Sequence, residues 1–225
     1  MCVQKPTGNG ARKKTPSGIV YYDDTPDGHA AQSEDEAASS GPGSDESDHP
    51  EPAGAPAPND TPAEDCTVYS DKLWDTACSK YYKFAHMKMK PDTPAIACSW
   101  QQLCKEILDK IVDGGIKFNI NSAYRSSAYN AKIGGATKSD HLTGCATDIA
   151  TGSVEGNKAL FKWIGNPKNK VPFSQIIFEG NWVHVAYNGA SPASVAVLVT
   201  RTGKPSYENG GGRDGSRLPP DLKWA

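Results

Sequence analysis

Cut at Asp65, the chain separates into two parts of opposite charge, and this split limits where a packed core can form. Residues 1–65 hold 4 Lys+Arg against 13 Asp+Glu, net −9, whereas the remaining 160 residues hold 20 against 13, net +7. The run from Ser33 to Pro62 is mostly Glu, Asp, Ser, Pro, Gly and Ala. Ordering a backbone costs about 1–2 kcal/mol per residue, and such a run has too little apolar surface to offset it. Residues 1–65 are therefore expected to be a disordered acidic tail. Residues 66–202 are of a size for one domain with one core, centred on 80–190. Residues 203–225, with Gly210-Gly211-Gly212 and several prolines, are expected to be a flexible C-terminal tail.

Several classes fall away on composition. No window approaches the roughly 18 uninterrupted apolar residues of a membrane span, and Met1 to Lys14 carries charge without an apolar h-region behind it. Neither a transmembrane protein nor a secretory signal is expected. The lysines of the basic part are scattered and no nucleic-acid module is present, so neither nucleic acid nor a membrane is an expected partner. Six cysteines, at 2, 66, 78, 98, 104 and 145, include no CxxC spacing, and their pairing stays open. Five lie in the folded part, which leaves at least one of them unpaired there.

Trp100, Leu103, Cys104, Ile107, Leu108, Ile111 and Val112 recur at steps of three and four, which predicts an amphipathic helix over about 99–113, capped by Ser99 and closed at Gly114-Gly115. Ile116, Phe118 and Ile120 alternate with polar residues, a half-buried strand that delivers Tyr124 and Arg125. Cys145 to Ala150 reads as a short buried strand. Ser153 caps a second helix with apolar Ala159, Leu160, Trp163 and Ile164, stopped by Gly165 and Pro167. Phe173–Glu179 and Trp182–Tyr187 form a hairpin around Gly180-Asn181, and Val195–Thr200 is a last strand. The predicted class is α+β, a small antiparallel sheet with helices covering one face.

The segment Ser139-Asp140-His141-Leu142-Thr143-Gly144-Cys145-Ala146-Thr147-Asp148 sets a His and an Asp seven residues apart, and His184 follows on an alternating strand. Three such side chains are the ligand set of an open zinc site, whose fourth position takes water and acidifies it toward pKa ~7. A strand histidine also commonly serves as a core or surface group, so spacing alone leaves both readings open. The hairpin adds a second constraint. A two-residue loop pairs Glu179 with Trp182, Phe178 with Val183 and Ile177 with His184. Glu179 then shares a face with His184, diagonal to it at roughly 7 Å, within reach of water at a metal.

Tyr124-Arg125-Ser126, Asn130, Gly134-Gly135, Ser139-x-His141-x-x-Gly144-x-Ala146-x-Asp148 and Trp182-Val183-His184-Val185 together resemble the zinc D-alanyl-D-alanine carboxypeptidase family. That family is grouped with lysostaphin-like and hedgehog-like metallopeptidases, and the likeness is strongest to its short phage and viral members. The resemblance covers about 80–190. It implies one Zn2+ per chain on His141, Asp148 and His184. It implies that Arg125 stabilises charge on the scissile carbonyl, and that Ser139, Arg125 and Trp182 meet the substrate. Many members place the catalytic glutamate three residues before the second histidine, where this chain has Asn181. Members with a hairpin before Trp-x-His place it at the end of the preceding strand, so Glu179 is the expected base and Asp140 the reserve candidate. Cys145 also departs from the pattern, but its face should lie opposite that of Asp148, and the ligand set is complete without it.

The expected function is thus a zinc metallopeptidase that hydrolyses peptide bonds of peptidoglycan, as a D-alanyl-D-alanine carboxypeptidase or an endolysin-like stem-peptide endopeptidase. Peptidoglycan peptides are the expected partner, the chain is expected to be a monomer, and it is expected to reach the wall after lysis, through a pore or as part of a virion. The alternative is an inactive zinc-stabilised module that binds the wall or belongs to a virion.

Overall fold

The computed structural model describes residues 59, 64–189, 193–201 and 204–224. The expected acidic tail lies almost wholly outside the described residues. Six strands form one sheet: β1 (Asn119–Ser122), β2 (Ala146–Ala150), β3 (Gln175–Phe178), β4 (Val183–Ala186), β5 (Ser194–Arg201) and β6 (Lys204–Gly211), in the order β1-β2-β4-β3-β5-β6. The α+β class holds, with one difference. β3 and β5 run parallel, since β4 intervenes between them in the sequence and lies on the other side of β3 in the sheet, while the other neighbours are antiparallel.

The first helix starts earlier than its apolar pattern. α1 (Pro94–Leu103) is capped by Thr93, whose hydroxyl accepts from the Ile96 N–H, and Pro94 at the first position loses no internal bond. Ser99 is buried inside the helix instead of capping it. A π-helical segment (Cys104–Leu108) and α2 (Asp109–Asp113) continue the same run, which ends with Gly115 at φ +77°. Trp100, Leu103, Cys104, Ile107, Leu108 and Ile111 are fully buried, as their spacing predicts. α3 (Ser127–Lys132) follows Arg125, and α4 (Val154–Gly165) is capped by Ser153 and buries Leu160, Phe161 and Ile164. Trp163 of α4 lies so close over Gly114 that a Cβ there would meet its ring at 2.3 Å.

Ile149, Ile176, Phe178, Val183, Val185, Val195 and Val197 join the helices in the hydrophobic core. Strand alternation puts Asp148, Ile177, Glu179 and His184 on the opposite face. One face of the sheet therefore stabilises the fold, and the other is left to carry polar groups.

The stretch from 204 onward differs from the flexible tail expected for 203–225. Residues 204–211 form β6, and beyond it Leu218 and Leu222 are buried. Arg213 donates to the Val171 and Phe173 carbonyls and stacks over the Phe173 ring. Gly and Pro content hid a strand whose partner is β5 and a return segment held by packing. The N-terminal lead-in is tied down by a Cys66–Cys98 disulfide, with Cα atoms 4.9 Å apart, while Cys78, Cys104 and Cys145 are buried.

Candidate metal centre and active site

Each residue of the centre is delivered by a local device. Ser139 caps a 3-10 turn (Asp140–Thr143) by accepting the His141 N–H, and Gly144 leaves that turn at φ +70°, where a Cβ would meet the Ile96 carbonyl at 2.7 Å. The turn aims His141 inward and the chain then enters β2. On β2, Asp148 pairs directly with His184 of β4, so sheet register brings these two side chains together. The Arg125 N–H bonds the His141 carbonyl at 3.1 Å and ties the end of β1 to the same turn.

His141 Nε2 lies 3.2 Å from Asp148 Oδ1 and 3.2 Å from His184 Nδ1, and those two are 2.9 Å apart. A tetrahedral zinc with bonds near 2.0–2.1 Å separates its ligands by about 3.3–3.4 Å along each edge, so the triangle matches one slightly contracted face. All three residues are buried. His141 Nδ1 is 2.6 Å from the Ala123 carbonyl, which can only accept. Nδ1 therefore carries the ring proton and Nε2 turns a lone pair toward the other two donors, the arrangement by which a carbonyl orients a metal-binding imidazole. Burial pushes the His141 pKa down, which favours the neutral, ligating form. The chemistry of the donor set thus fits a divalent cation.

Asp148 stays ionised. Burial opposes its charge, but the adjoining His141 and His184 rings, when they carry a proton toward it, hold the carboxyl well below the usual carboxylate range. Its second oxygen, Oδ2, is 2.5 Å from Arg125 Nη2, and Arg125 Nε donates to Ser122 Oγ at 2.9 Å. The resemblance expects Arg125 at the substrate; its guanidinium is clamped against Asp148 and also lines a cleft of about 460 Å³ with Tyr124, Tyr129, Met89 and Trp182. Trp182 and Arg125 therefore both reach the cleft. Ser139 has its hydroxyl engaged by the His141 backbone.

The hairpin pairs Ile177 with His184 and Phe178 with Val183, the register its two-residue loop predicts, with Gly180 at φ +76°. Glu179 is buried, and burial first, with the Asp148 charge second, raises its pKa to about 7. Oε2 accepts from the Tyr207 hydroxyl at 3.2 Å, Oε1 is buried, and hydrogen bonds from the Tyr207 and Trp182 side chains favour the charged carboxylate against its burial. Asp140, the reserve base, accepts from Asn188 Nδ2 at 2.7 Å through Oδ2. Cys145 turns its sulfur to the Thr143 carbonyl at 3.7 Å.

Sequence reasoning missed Ser122, the Ala123 carbonyl, Asn188 and Tyr207. Ser122 sits three residues before Arg125, a spacing that signals a local contact. Nothing local marks Tyr207, which falls in the segment expected to be a flexible tail. Comparison with curated proteins gives no match. Residues 83–186, which carry Arg125, His141, Asp148, Glu179 and His184, match the family model described as Peptidase M15, and the match supports an M15-type peptidase for this stretch of the chain.

Proposed function

We propose that this domain is a zinc metallopeptidase that hydrolyses peptide bonds of bacterial peptidoglycan, at the terminal D-Ala-D-Ala link or at a stem-peptide cross-link. The observation that carries the reading is the triangle of His141 Nε2, Asp148 Oδ1 and His184 Nδ1, with edges of 3.2, 3.2 and 2.9 Å, inside a stretch that matches a peptidase family. Zinc held by these three residues supplies Lewis acidity, which acidifies water and polarises a carbonyl.

The chain's own groups do the rest. Glu179 takes a proton from the attacking water and returns it to the leaving amine, and a pKa raised to about 7 suits a group that must both accept and release it near neutrality. Arg125, fixed by Ser122 and Asp148, adds a positive charge to the cleft where the scissile carbonyl oxygen becomes negative. Trp182 supplies an apolar wall for the peptide. In this reading Ser139 acts chiefly by shaping the turn that aims His141.

Digestion of purified peptidoglycan, with fragment masses read with and without a chelator, tests the proposal and separates release of free alanine from splitting of cross-links. A His141→Ala protein with an unchanged melting temperature should leave the wall intact; undiminished cleavage by it rejects the reading. An inactive binding module is distinguished by Glu179→Gln, which would leave wall binding and activity alike unaltered in that case.

A further inference from the structure

Tyr207 lies on β6, outside the residues that match the peptidase family. Its position relative to Glu179 follows from two registers. Phe178 of β3 pairs with Val197 of β5, so the next residue, Glu179, stands level with Leu198, and Leu198 pairs with Tyr207. Glu179, Leu198 and Tyr207 thus form one row across three strands, with side chains on the same face. Neighbouring strands are about 4.8 Å apart, and a tyrosine is long enough to reach over the intervening leucine. Its hydroxyl arrives 3.2 Å from Glu179 Oε2. The other oxygen, Oε1, is buried, and the Trp182 indole also hydrogen-bonds the carboxylate.

We infer that Tyr207 is a positioning residue for the reaction: its hydroxyl donates to Glu179 Oε2, locks the carboxylate rotamer, and leaves Oε1 as the oxygen that exchanges a proton with water and the leaving amine. The inference rests on the reading of Glu179 as the base. It makes the terminal hairpin part of the active site. No bond to substrate forms through Tyr207, and the phenol keeps its proton throughout.

The test compares Tyr207→Phe, Glu179→Gln and the double variant, each loaded with zinc and assayed on wall fragments, together with a metal-free measurement. Loss of one hydrogen bond to a charged group predicts a fall in kcat of about ten-fold or more for Tyr207→Phe, with KM within about two-fold, and zinc content and melting temperature unchanged. The double variant should be no slower than Glu179→Gln alone, because the phenol acts only through the carboxylate. In the metal-free chain carrying 3-fluorotyrosine, the fluorine resonance of residue 207, assigned by its absence from Tyr207→Phe, should move on Glu179→Gln. An unmoved resonance, or an unchanged kcat for Tyr207→Phe beside an inactive Glu179→Gln, overturns the inference and leaves the base assignment standing. Full activity in Glu179→Gln overturns the base assignment itself.

Discussion

Asp148 and His184 stand opposite each other on β2 and β4, and Asp148 Oδ1 is 2.9 Å from His184 Nδ1. The pair is held by strand register, with Val183 and Val185 buried on the other face of β4, so the site can lose a ligand without losing its scaffold. His184→Ala should therefore fold and yet bind zinc at least about 100-fold more weakly, since even partners outside the ligand shell are worth 10–100-fold. Titration calorimetry and metal analysis after dialysis check this. A variant that keeps one tightly held zinc per chain contradicts the assignment.

The Arg125 guanidinium and the Asp148 carboxylate are both almost fully buried, 2.5 Å apart. Removing one member of such a pair strands the other's charge, which typically costs about 3–5 kcal/mol. Arg125→Ala should lose that much stability in metal-free protein, and less with zinc present, because the cation then compensates Asp148. Urea unfolding with and without zinc reads the difference.

Cys66 and Cys98 close a loop of 32 residues that fastens the lead-in to α1. Loop-closure entropy gives such a link about 4 kcal/mol. Cys66→Ser and Cys98→Ser should each lower stability by about that amount, and the double variant by no more than either. Cys78, Cys104 and Cys145 are buried, so they should resist a thiol reagent until the chain is unfolded.

His86 supplies a pH dependence of stability. Its Nδ1 accepts the Lys83 N–H at 3.0 Å and its ring meets Tyr82 edge to face. Burial first, with Lys88 and Lys83 adding repulsion, lowers its pKa from 6.5. A base whose folded pKa is depressed contributes stability above its unfolded pKa and loses it as pH falls toward the folded value. Melting temperature should thus drop from pH 7.5 to pH ~5.5 more steeply in the native protein than in His86→Gln. Equal slopes would exclude His86 as a source.

Features encoded over a few residues were legible before any fold was known. The steps of three and four from Trp100 to Ile111 specify a buried helix face, and Gly180-Asn181 specifies the register that pairs Ile177 with His184. The start of α1 was less legible, because Ser99 and Thr93 are both competent caps and only burial of Ser99 in the helix decides between them.

The sequence by itself determined the helix periods, the hairpin register and the residue types that ligate a cation, since each rests on local backbone geometry and side-chain chemistry. Only tertiary structure decided that Cys66 joins Cys98, that the Gly-rich stretch after 203 pairs with β5, and that Tyr207 reaches Glu179. Those contacts join residues 28 or more apart or complete a sheet edge, and no local pattern records them. They follow from which surfaces pack once the core has closed, a choice made by burial over the whole domain.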